Sequence, residues 1–178
     1  MIKKILAVFG LLVLILVVVV ALQPSDFRIV RSIQISAPPE RVFPLVNDFH
    51  QWNAWSPWAK LDPAAKNTFE GPAAGVGSVF RWSGNSEVGE GGMTILESKP
   101  NELIRIRLEF VKPMAGTSLT EFTFKPENQQ TSLTWAMSGQ NNFIARAMCL
   151  VMNMDKMVGG QFEQGLASIK RLAEASPQ

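Results

Sequence analysis

NFIARAMCLVMNMDKMVGGQFEQGLASIKRLAE, residues 142–174, is the part of the chain beyond the N-terminal segment that keeps a helical period. Phe162, Leu166, Ile169 and Ala173 follow at steps of four, three and four, so they share one helix face. Glu163, Gln164, Lys170 and Arg171 fall on the other side. The first part, with Phe143, Ile144, Met148, Leu150, Val151, Met152 and Met154, is too apolar for a single buried face and reads as a separate turn of helix, broken near Asn153. A helix with one apolar stripe needs a surface to bury it on. Most of the preceding chain reads as strands, so a sheet is expected to wrap this helix. Gly159 and Gly160 stand together inside it, each costing roughly 1 kcal/mol relative to alanine. The pair points either to a kink or close approach to the sheet, or to room for a ligand beside Phe162.

Working back from the helix, Leu103–Val111 is the clearest strand. Ile104, Ile106, Leu108 and Phe110 alternate with Arg105, Arg107 and Glu109, which are expected on the solvent side, pairing across strands. Leu119–Lys125 and Thr131–Ser138 form a hairpin, Met93–Ser98 is a strand, and Asn67–Gly71 and Gly77–Ser83 are short strands. Short connections imply antiparallel neighbours. Phe27–Ile35 begins the set, with Phe27, Ile29, Ile33 and Ile35 on one face and Arg31 as the exception. A short helix follows at about Pro39–Asn47, with Val42, Phe43 and Val46 inward, Pro39 tolerated at its start and Pro44 awkward inside it. Asp48–Trp58 carries three of the five tryptophans at intervals of three, and a helical turn there puts Trp52 and Trp55 on similar sides. They form either a structural lid on the core or an aromatic wall of a binding cavity. The fold class is therefore α+β: about seven antiparallel strands on a long C-terminal helix, with two short helices after the first strand.

Ile5–Leu22 contains no charged or strongly polar residue and reaches roughly 27 Å as a helix, close to a bilayer's hydrocarbon core. Residues 1–24 thus read as a membrane anchor and 27–175 as the folded domain. Lys3 and Lys4 precede the span, which places the N-terminus in the cytoplasm and the domain outside, in the periplasm if the source is bacterial; Arg28 and Arg31 beyond the span work against that bias. The rival reading is a signal peptide cut after Val19-Val20-Ala21, although the apolar run exceeds the usual h-region.

Composition bounds the chemistry. Net charge is +2 over 178 residues, too small for a nucleic-acid binder. One histidine and one cysteine argue against a multi-histidine metal site and exclude an intrachain disulfide. Gly84–Gly92 lacks the lysine and hydroxyl of a phosphate loop and the dinucleotide spacing, so no cofactor is expected. His50 has no nucleophile paired with it in a local signature, and Cys149 among Ala147, Met148 and Leu150 reads as a small buried hydrophobe. The candidates for acid–base work are Asp48, Glu70, Arg81, Glu87, Arg105 and Glu121.

Three stretches carry a family resemblance: Ile35–Phe43 at the first strand-to-helix junction, Asp48–Trp58 with its acidic residue, paired tryptophans and Ser-Pro-Trp, and Met154–Met157 with Phe162–Leu166 in the last helix. Together they resemble the SRPBCC superfamily of START-like helix-grip proteins, and more narrowly the polyketide cyclase/dehydrase and lipid-transport family, over about Phe27–Ala175. The resemblance implies a curved sheet gripping the last helix around an apolar cavity. Its ligand-binding candidates are Trp52, Trp55, Val79, Met93, Ile106, Leu108, Phe122, Phe124, Trp135, Met157, Gly160 and Phe162, with Ile95, Met137 and Leu166 as further wall material. The expected partner is a hydrophobic small molecule or lipid, with the membrane engaged through residues 5–22. Two other readings stand beside it. A cyclase or dehydratase requires two ionisable side chains inside the cavity within hydrogen-bond reach. An interaction module requires an exposed apolar patch near the tryptophan segment.

Overall fold

A computed structural model describes residues 1–175. Helix α1 (Ile2–Ala21) is followed by β1 (Asp26–Ile35), α2 (Pro39–Asn47), a single 3-10 turn, α3 (Trp52–Trp55) and α4 (Trp58–Leu61). Strands β2 (Lys66–Glu70), β3 (Val79–Ser83), β4 (Glu90–Lys99), β5 (Leu103–Lys112), β6 (Gly116–Glu127) and β7 (Gln130–Gln140) come next, then α5 (Phe143–Cys149) and α6 (Met154–Ala175). The strands form one antiparallel sheet in the order β1-β7-β6-β5-β4-β3-β2. The first strand thus closes against the last, and α6 lies across that edge on β1 and β7.

Register sets the two faces of the sheet, since paired residues point to the same side. Ile29 opposite Met137, Arg31 opposite Trp135 and Ile33 opposite Leu133 face α6. The same face continues through Phe122 and Thr120, Ile104 and Ile106, Met93 and Phe80. Two register shifts in β4, at Glu90/Gly91 and Ile95/Glu97, bend the sheet around the helix. Gly91 and Gly92, expected in the loop, are inside β4; a Cβ on Gly91 would strike the Trp82 ring and the Glu109 carbonyl. The β6–β7 connection is tighter than expected, because Asn128 and Gln129 both take positive φ (48° and 68°), the handedness that matches strand twist in a two-residue turn.

The C-terminal segment breaks where its pattern changed. Asn142 Oδ1 accepts from the Ala145 amide and caps α5, and Asn153 Oδ1 accepts from the Lys156 amide at the start of α6. From α6, Gly159, Phe162, Gly165, Leu166, Ser168, Ile169 and Ala173 are buried. Pro39 sits in the first turn of α2, and Val42, Phe43 and Val46 are buried.

Helix α1 is the one described helix long and apolar enough to cross a membrane. Its end packs on α5, where Val20 is buried and Arg146 Nη1 donates to the Ala21 carbonyl at 3.1 Å. Cys149, expected to be buried, is exposed.

Candidate functional site

Between the sheet and α6 lies a cluster of aromatic rings. Trp135 from the middle of β7 stacks on Phe162 of α6, with centroids 4.0 Å apart and planes 7° from parallel. Phe122 lies 4.8 Å from Trp135 on its other flank, and Trp55 meets Trp135 edge-on at 5.6 Å. Trp52 lies 4.5 Å from Trp55, so the turn after α2 does place both indoles on one side, against the core. Trp52, Trp55, Met93, Ile106, Phe122, Phe124, Trp135 and Phe162 are all buried on the helix-facing side, and Leu108 is half-buried there.

Three candidates lie elsewhere. Val79 pairs with Thr94 on the outer face, one residue out of step with Phe80, which pairs with the buried Met93. Met157 is 51% exposed, because its position on α6 turns away from the sheet. Gly160 faces open space, with nothing near where a Cβ would stand. The sequence reading missed Phe80, whose spacing of two from Trp82 is itself a strand-face signal, and Phe49, which is buried against Trp52 at 5.3 Å.

The indole N–H groups separate one residue from the rest. Trp52 Nε1 donates to the Val46 carbonyl (2.9 Å), Trp55 Nε1 to Leu45 (2.7 Å) and Trp82 Nε1 to Val88 (3.0 Å). Trp135 is only 3% exposed, yet its Nε1 has no protein acceptor. A buried donor without a partner is destabilising by ~1–3 kcal/mol and is rare in native interiors. Chemically it is a single hydrogen-bond donor among closely packed aromatic rings; neither of two surface clefts, one bordered by Arg81, Glu90 and Glu109 and the other by Asp26, Arg107 and Ser138, includes Trp135.

Charge is arranged differently. Arg31, the apparent exception in β1, points toward α6. Its Nε donates to Glu163 at 2.7 Å and its Nη2 to Asp155 at 2.9 Å. Asp155, Gly159 and Glu163 are spaced four apart, so the guanidinium lies along one side of α6, and a Cβ on Gly159 would strike it. The first glycine of the pair is thereby explained as a close approach to the sheet. Gly160→Ala is expected to raise the unfolding free energy by about 1 kcal/mol, as for an open helix position. Gly159→Ala is expected to lower it, because Arg31 must leave its carboxylates. Urea unfolding of the two variants measures both signs.

Hydrogen bonds from Arg31 hold the Asp155 carboxyl below its ordinary range, and the Ser36 amide does the same for Glu174. Carboxyls depressed in the folded state contribute stability that is full above the unfolded pKa and lost as pH falls through the folded one. The melting temperature is therefore expected to hold between neutral pH and about 5 and to fall below about pH 4. Arg31→Met is expected to flatten part of that acid limb, which a series of melts across pH would show.

The remaining acid–base candidates lie away from the ring cluster. Arg105 bridges Glu97 (2.6 Å) and Glu121 (2.7 Å) on the outer face, where Arg28 also approaches Glu121. Arg81 pairs with Glu70 on that face at 3.1 Å. Asp48 Oδ1 accepts from the His50 amide and lies 2.8 Å from its Nδ1, while the His50 ring stacks on Phe69 at 4.2 Å; this is a helix-end cap. Glu87 sits in the β3–β4 loop beside the Asn85 side chain. No cluster of three or more His, Cys, Asp or Glu residues able to hold a metal occurs among the described residues.

A curved antiparallel sheet closed on its last helix, with an aromatic interior, defines a helix-grip protein. The model of the family described as polyketide cyclase/dehydrase and lipid transport matches residues 26–174, and the chain belongs to that family. No curated protein sequence matches it. Among solved structures it is similar to protein CV1439 from Chromobacterium violaceum, at 21% identity and TM-score 0.60, covering 86% of this chain and 100% of that one. It is also similar to the Aha1 dimer from Colwellia psychrerythraea, at 18% identity and TM-score 0.60, covering 85% and 99%. A third is the di-domain ARO/CYC BexL from the BE-7585A biosynthetic pathway, at 18% identity and TM-score 0.62, covering 89% of this chain and 53% of that one. These likenesses concern the fold.

Proposed function

We propose that this chain is a membrane-anchored binding module for a hydrophobic small molecule or lipid that carries a hydrogen-bond acceptor, taken up between the sheet and α6. Residues 1–24 are the anchor and 27–175 the binding domain, with the N-terminus in the cytoplasm and the domain outside, in the periplasm of a bacterium. The observation that carries the reading is the unpartnered Nε1–H of Trp135 inside an aromatic wall. A ligand oxygen there would remove the penalty of the buried donor, while its apolar body would spread over rings and methionines. The family's description, which includes lipid transport, supports the same direction.

An acid–base enzyme of cyclase type is the alternative, and the ARO/CYC named among the similar folds keeps it in view. The placement of charge favours binding. The ionisable side chain in the middle of the helix-facing surface is Arg31, and it is tied to Asp155 and Glu163 rather than free to act on a ligand. The interaction-module reading needs an exposed apolar patch near the tryptophan segment, and Trp52 and Trp55 contribute none of it, since both are buried.

Titration of the full-length protein in detergent with an environment-sensitive naphthyl ketone, and with the same naphthalene lacking the carbonyl, tests the reading. The ketone is expected to bind several-fold more tightly. Equal binding of the two, or none, would remove the role given to Trp135. Protease added to spheroplasts tests the orientation, since an outside domain is digested and a cytoplasmic one is protected.

A further inference from the structure

We propose that α5, together with the β5–β6 turn, docks on the lipid bilayer beside the anchor, so that one end of the domain rests in the membrane interface; this builds on the reading of residues 5–22 as a membrane span. The apolar run ends at Leu22, so Val20 and Ala21 lie at the boundary between hydrocarbon and headgroups. Helix α5 packs there: Val20 is buried, and Arg146 donates to the carbonyls of Ala21 and Gln23. Whatever α5 shows on its other sides therefore lies at the same depth.

It shows hydrocarbon. Ile144 is 60% exposed with Phe143 exposed beside it, and just past the end of α5 Leu150 and Val151 (84%) are exposed as well. Arg146 is the only charged residue between Asn142 and Met154, and it is turned back onto the anchor. The sheet brings a second apolar element to this end. Asp26 pairs with Gln140, Ser118 with Gly139 and Phe110 with Gly116, so the β5–β6 turn, with Val111 and Met114 exposed, lies at the end where β1 leaves the anchor. In water these side chains are an unfavourable surface next to a helix end; in a bilayer they are a short interfacial face of the kind that sinks about 5–10 Å into the headgroup–acyl boundary. Continuity with the anchor selects lipid as the occupant over another protein.

The single natural cysteine, Cys149, is exposed on α5 and takes a spin label without any substitution. The full-length protein is reconstituted into vesicles of phosphatidylcholine and phosphatidylglycerol. Labels are read at Cys149 and, in a Cys149→Ser background, at Ile144→Cys, Val151→Cys and Glu127→Cys. Glu127 is the last residue of β6, at the far end of the sheet, roughly 30 Å away along β1. Relaxation by a water-soluble nickel complex is expected to be several-fold weaker at 144, 149 and 151 than at 127, with relaxation by oxygen stronger. Equal access to the nickel complex at all four positions overturns the proposal. Flotation after an alkaline wash separates the two ideas. If the protein floats and the α5 labels are wet, the anchor stands and the docking face does not. If it fails to float, the anchor reading falls and the docking proposal falls with it.

Discussion

Phe162→Ala is expected to lower the unfolding free energy by ~3–5 kcal/mol, the range for removing a large buried aromatic ring. Phe162 is buried under Trp135 in a near-parallel stack at 4.0 Å, and the edge of Trp58 closes the remaining side at 6.4 Å. The site cannot collapse easily. Trp135 sits in the middle of a strand paired on both edges, and α6 is pinned to β1 by Arg31 and by the Ser36–Glu174 hydrogen bond. Against a typical total of ~5–15 kcal/mol, such a loss leaves the domain marginal. Urea unfolding followed by near-ultraviolet circular dichroism measures it. A loss below about 1 kcal/mol would mean that the stack contributes little.

The second large effect has two signs. Replacing Trp135 by benzothienylalanine keeps the ring shape and removes only the N–H. The unliganded protein is expected to gain ~1–3 kcal/mol of stability, because an unpartnered buried donor disappears. Affinity for the naphthyl ketone is expected to fall by a few-fold to about tenfold, the worth of one neutral hydrogen bond. Thermal melts and the ketone titration read the two effects on the same sample. A drop in stability would mean that the indole N–H has an acceptor inside the protein.

The features legible in the sequence were those set by local period. The stripe Phe162, Leu166, Ile169 and Ala173 is the face that α6 buries, Asn153 marks the break, and α2 runs over Pro39–Asn47 as its prolines and apolar residues suggest. In β5, with strict alternation over the seven residues from Ile104 to Phe110, Ile104 and Ile106 face the core and Arg105 pairs on the outer face. The features hidden from the sequence depend on partners far along the chain. Val79 and Phe80 are both apolar, and only pairing of Phe80 with Met93 decides which faces inward. Arg31 looked like a flaw in its strand, since Asp155 and Glu163 lie 124 and 132 residues away. Gly159 and Gly160 are adjacent in sequence but about 100° apart around the helix, so one meets Arg31 and the other open space. Met157 and Cys149 are apolar residue types on the outer sides of their helices, which composition alone cannot tell from core. That Trp135, alone of these indoles, lacks an acceptor follows from three-dimensional placement.

The most direct test of the binding site is an indole N–H spectrum of the full-length protein labelled with 15N-tryptophan, recorded as the naphthyl ketone is added. The resonance of Trp135, assigned by its absence in the benzothienylalanine variant, is expected to move downfield on binding. Those of Trp52, Trp55 and Trp82, already bonded to Val46, Leu45 and Val88, are expected to stay close to their starting positions. Binding of the ketone with the Trp135 resonance unmoved would place the ligand elsewhere and contradict the proposed site.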